Sequence, residues 1–96
     1  MKVRFHPIAR TELREAYDHY AMISPVLTSR FAMEFLRIVN LIVENPTAWR
    51  AIGRRTRRRN LHRFPYGVIY QVLEDHIRIV AVAHLKRRPG YWRKRL

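Results

Sequence analysis

The interval between two apolar runs is the feature that most limits how this chain can fold. Tyr66 to Leu73 (YGVIYQVL) and Ile77 to Leu85 (IRIVAVAHL) are rich in Val, Ile and Tyr. These residues suit a pleated, half-buried backbone. Only Glu74, Asp75 and His76 lie between the runs. That is too short for a helical crossover, so the runs must pair antiparallel as a hairpin. Strict alternation in the second run points Ile77, Ile79, Ala81, Ala83 and Leu85 one way. Arg78, Val80, Val82, His84 and Lys86 then point the other way. Val80 and Val82 imply that the middle of this second face is covered while its ends stay charged.

Upstream, Lys2 to His6 reads as a short first strand. Pro7 suits the first turn of a helix, where its missing N–H would be unpaired anyway. Ala9, Leu13, Ala16, Tyr17 and Tyr20 form one apolar stripe, and the helix should end near Met22. Glu12 and Glu15 sit early in it, where the helix dipole favours negative charge. Ser24-Pro25 opens a second helix, with Ser24 as N-cap and a stripe of Leu27, Phe31, Phe35, Ile38 and Ile42; Asn45-Pro46 closes it. The short connection predicts an antiparallel helical hairpin, its stripes packed on the sheet. Thr47 to Gly53 reads as a linker whose Trp49 and Ile52 plug the base of the core. Arg57 to Phe64 reads as a strand, with Arg58, Asn60, His62 and Phe64 on one face and Arg57, Arg59, Leu61 and Arg63 on the other. The prediction is an α+β fold of order β-α-α-β-β-β. A small, mostly antiparallel sheet carries a two-helix hairpin on one face, in a single domain over residues 1–96.

Composition narrows the partners. Twenty Lys and Arg face seven Asp and Glu, a formal net charge of +13. Such a surface repels itself and calls for an anionic partner. With no cysteine there is no disulfide framework or thiolate metal site. No apolar run approaches the ~20 residues of a membrane span, and MKVRFHPIAR lacks the apolar core of a secretion signal. A cytoplasmic protein without a membrane partner is the expectation. The histidines (His6, His19, His62, His76 and His84) show no helical metal-ligand pairing, and no phosphate-binding glycine loop is present, so no metal or cofactor is expected.

Two kinds of site remain. Residues 86–96 form a basic, aromatic tail. In it Lys86, Arg87, Arg88, Tyr91, Trp92 and Arg93 are candidates for gripping a macromolecular target, since Arg, Tyr and Trp often anchor interfaces. Alternatively Tyr91 and Trp92 fold back on the core. Arg78, Val80, Val82 and His84 make an apolar band framed by basic groups, suited to an acidic chain that adds a strand or lays down an amphipathic helix. RNA cleavage would need a proton-transfer group and cations on the phosphate. His84 could serve as acid or base, Arg58 and Arg63 as phosphate clamps, and Tyr91 as a base-stacking ring.

FHP near the start, ENP in the middle, RFPYGVIY, and AVAHLKRRPGYW at the end together resemble the RelE/ParE toxins of bacterial type II toxin–antitoxin systems. The likeness runs from Val3 to Arg93 and is greater to the ParE-like branch. It implies the same β-α-α-β-β-β arrangement and a toxin that inhibits DNA gyrase by binding, with no catalytic centre of its own. It also implies an acidic antitoxin held in a hetero-oligomer. The RelE-like alternative, a ribosome-dependent endoribonuclease acting on mRNA, implies an arginine after the tyrosine of the third strand. Here Gly67 follows Tyr66. RelE-like strand lysines would fall near Arg58 and Asn60, so one cation is kept.

Overall fold

The computed structural model describes residues 1–96. β1 (Lys2–Phe5) leads into α1 (Pro7–Ala21) and α2 (Pro25–Glu44). β2 (Arg50–Gly53), β3 (Thr56–Asn60), β4 (Tyr66–Val72) and β5 (His76–His84) follow, and a 3-10 turn at Arg93–Arg95 ends the chain. The five strands lie in the order β1-β5-β4-β3-β2. β1 runs parallel to β5, and every other pair is antiparallel. The predicted order is present, with one strand added. Arg50–Gly53 pairs with β3 through Arg50 opposite Arg58 and Ala51 opposite Arg57, where the sequence predicts a linker. Its four residues carry no usable alternation, so pairing with β3 makes it a strand.

Both helices begin as their sequences require. His6 caps α1, its Nδ1 accepting the Ile8 N–H at 3.0 Å. Ser24 caps α2, its Oγ accepting from Val26 N at 3.1 Å and Leu27 N at 3.3 Å. These side chains satisfy amides that have no partner inside the helix. The helices bury Ala9, Ala16, Tyr20, Phe31, Phe35, Ile38 and Ile42 against Val68, Tyr70, Ile77, Ile79 and Val82 of the sheet. Tyr20 and Phe31 meet Phe64 edge-on, at centroid distances of 5.0 and 5.3 Å.

Two registers differ from simple alternation. β3 stops at Asn60, so Leu61 and Phe64 enter the same helix-side core instead of opposite faces. The Glu34 carboxylate on α2 accepts the amide N–H groups of His62 and Arg63, turning the backbone out of the strand. On β5, Ile79 pairs with Tyr70 while Ala81 pairs with Ile69, leaving Val80 as an inserted residue. This bulge reverses the alternation beyond it. Ile77, Ile79 and Val82 pack toward the helices; Val80, Ala81 and Ala83 pack on the opposite face. Val80 and Val82, predicted to share a face, are divided between the two. Trp49 and Ile52 are divided likewise, Trp49 on the helix side and Ile52 on the other.

Candidate target-binding face

The second face of the sheet is closed by the chain's own tail. After β5 the backbone turns at Pro89-Gly90, where Gly90 has φ 77°, a conformation that strains any residue with a Cβ. The turn lays Trp92 on Ile69, Val80, Ala81 and Ala83, leaving it 5% exposed. Trp92 is thus a core residue and not a free target contact. This corrects its place in the predicted grip, because an indole spread over four small apolar side chains gains more from burial than from solvent. No open apolar band exists on β5 either: Val80 is buried under the tail and Val82 under the helices. Arg78 and His84 keep partial exposure, but the Arg78 guanidinium is turned onto the tail, donating to Arg95 O at 2.8 Å.

Glu12 holds the tail down. Its Oε1 accepts from Arg95 Nη1 at 2.7 Å and Val82 N at 3.1 Å. Its Oε2 accepts from Tyr91 O–H at 2.7 Å and Arg95 Nη2 at 3.1 Å. Arg95 also donates to Val80 O at 3.1 Å, the carbonyl of the bulged residue. One carboxylate thereby joins α1, the β5 bulge and the tail. Burial, and next the hydrogen bond to Glu12, push the Tyr91 hydroxyl well above its ordinary range. Glu12 lies one turn beyond the first turn of α1, so its role is this pairing and not the dipole interaction the sequence predicts. Its position was a usable signal: Ala9, Glu12, Ala16 and Tyr20 fall on one helical face, which puts a carboxylate inside an apolar stripe.

Of the rest of the predicted grip, Tyr91 is half-buried with its hydroxyl tied to Glu12, and the four basic residues are exposed. Lys86, Arg87 and Arg88 stand on the turn after β5, and Arg93 beyond Trp92. The Arg87 guanidinium lies 4.0 Å over the Tyr91 ring and that of Arg93 5.9 Å from the Trp92 ring. Between this tail and β2–β3 runs an open cleft of 580 Å³, walled by Arg50, Arg58, Arg59, Asn60, Trp92 and Arg93. No carboxylate lines it. Arg58 Nε donates to Asn60 Oδ1 at 2.7 Å, and the bridge lies across Gly67. A Cβ there would come 2.9 Å from Arg58 Nε, so only glycine leaves the arginine its place. Arg59 stacks 4.7 Å over the Trp49 ring; its Nε and Trp49 Nε1 are buried donors without an acceptor.

The residues suited to RNA cleavage are not assembled. His84 and Tyr91 border a separate cavity with Glu12, Glu15 and Tyr66. Arg58 lies in the tail-side cleft, and Arg63 lines a third hollow against α2. His84 Nδ1 accepts the Lys86 N–H at 3.0 Å, a local turn contact. Arg50 and Arg59 border the cationic cleft but are not candidates from sequence: β2, which carries Arg50, has no periodic signal, and alternation on β3 sets Arg59 on the face opposite Arg58.

Comparison with known proteins agrees with this architecture. The family model described as the ParE toxin of the type II toxin–antitoxin system, parDE, matches residues 3–89. No curated protein matches. Among solved structures, a chain of the chromosomal ParDE toxin–antitoxin system from P. aeruginosa is similar. Its TM-score is 0.74 at 23% identity, over 90% of this chain and 97% of that one, a likeness of fold. The family match over nearly the whole length places this chain among the ParE toxins of type II toxin–antitoxin systems, and so implies an antitoxin partner.

Proposed function

We propose that this toxin acts by occupying DNA gyrase, without a catalytic centre of its own, and that an acidic antitoxin neutralises it. The observation that carries this reading is the separation of His84, Arg58 and Arg63 into three different hollows. General acid–base catalysis needs its groups within hydrogen-bond reach of one substrate. A rigid cationic face needs no such convergence. Lys86, Arg87, Arg88 and Arg93 project from a backbone fixed by Trp92 and Glu12, so little backbone freedom is lost when they meet a partner. Net charge of +13 also speeds encounter with an acidic antitoxin. The apolar band such a chain needs lies on the outer side of α2, where Val26, Met33 and Leu36 are exposed near Arg37.

The test adds purified toxin to a gyrase supercoiling reaction and, separately, to a translating extract. Loss of supercoiling or accumulation of linear DNA with intact transcripts is the expected result, and His84→Ala should leave it unchanged. Transcripts cut at ribosomal positions would overturn the proposal.

A further inference from the structure

We infer that the cleft between the tail and β2–β3 is a seat for the phosphate backbone of nucleic acid. On the gyrase reading, which this inference rests on and deepens, the ligand is the DNA segment that the enzyme holds. Two observations lead there. The lining offers donors and positive charge from Arg50, Arg58 and Arg93, with no carboxylate to repel an oxyanion. The Arg58 fork is held in place: its Nε is engaged with Asn60, and Gly67 beneath leaves the room that a Cβ would fill. A held fork with its terminal nitrogens uncommitted matches two phosphate oxygens with little ordering cost. Phosphates repeat along a duplex, which suits an open trough with arginines on both sides better than a closed pocket would.

The experiment measures binding of a fluorescent 20-base-pair duplex of mixed sequence across a range of salt concentrations. The duplex is compared with single-stranded RNA and with an oligoglutamate peptide. Wild-type toxin should bind the duplex with an affinity that falls steeply as salt rises. Arg50→Gln with Arg58→Gln should weaken binding by tenfold or more and lower the salt slope by about 1 per arginine. Lys2→Gln with Arg14→Gln removes the same charge from exposed positions elsewhere and should change affinity less than threefold. Equal losses in the two double variants would overturn the inference, since the cleft would then add nothing to bulk charge. Tight oligoglutamate binding without duplex binding would also overturn it, in favour of an acidic protein as occupant. Thermal melting checks each fold; if Arg58→Gln does not fold, Arg50→Gln with Arg93→Gln, both exposed, makes the same comparison. Cleft-dependent DNA binding without gyrase inhibition would sink the proposed function and leave this seat standing. Gyrase inhibition with no cleft-dependent DNA binding would do the reverse.

Discussion

Arg95 Nη1 lies 2.7 Å from Glu12 Oε1, joining the last turn of the chain to its first helix across 83 residues. Both side chains are 10% exposed. A pair this enclosed is costly to break from one side, because the remaining charge stays buried without a partner. Glu12→Ala should therefore destabilise the fold by about 3 kcal/mol in urea denaturation. Replacing both residues by apolar ones, Glu12→Leu with Arg95→Met, should cost less than the sum of the single changes.

Trp92 and Arg93 are neighbours with opposite duties. Trp92→Ala opens a cavity over Ile69 and Val80 and should cost about 3–5 kcal/mol. Arg93→Ala, at an exposed position, should stay within about 0.5 kcal/mol of wild type. Chemical denaturation of the two variants separates tail residues that hold the fold from those free to meet a partner.

Alkaline pH should loosen the fold through its buried phenols. Burial pushes Tyr70 from its ordinary 10.0 up to about 12, with Arg57 pulling the other way. A raised folded pKa means the neutral form is the one that folding favours. The stabilisation is complete below pH 10.0 and is lost as pH rises toward 12. Tyr70→Phe should flatten that slope. It also removes the 2.6 Å hydrogen bond to Pro46 O, at a cost of about 1 kcal/mol near neutrality. Thermal melts across pH 8 to 11 read both effects, on the order of a few degrees for each kcal/mol.

The α1 cap should weaken in mild acid. Burial, with Arg78 and Arg95 nearby, holds His6 below its ordinary 6.5. A lowered folded pKa means this stabilisation is present above 6.5 and is lost as pH falls through the folded value. Protonation would also fill the Nδ1 lone pair that accepts the Ile8 N–H. His6→Asn supplies a non-titrating cap and should remove this part of the acid dependence. Melting curves between pH 7 and pH 5 compare the two proteins.

Much of this architecture was legible because most elements carry strong local signals. Pro7 and Ser24-Pro25 mark the helix starts, the stripes mark their buried faces, and three residues between two apolar runs dictate the hairpin. The exceptions have local causes. The Val80 bulge cannot be read from alternation, since Val, Ala and Ile satisfy either face. β2 exists through its partner, β3. The site was less legible than the fold. Charge pointed to the tail, but whether Trp92 faced solvent or core depended on Glu12, which meets the flanking Tyr91 and Arg95 only through the tertiary fold.

The most direct measurement titrates toxin against a fixed, micromolar concentration of gyrase and follows the supercoiling rate. An inhibitor that works by occupancy should bring activity down in proportion and reach its floor near equivalence, with mRNA in a parallel translating extract intact. Unchanged supercoiling at severalfold excess, together with mRNA cleaved by trace amounts of toxin, would contradict a binding mechanism.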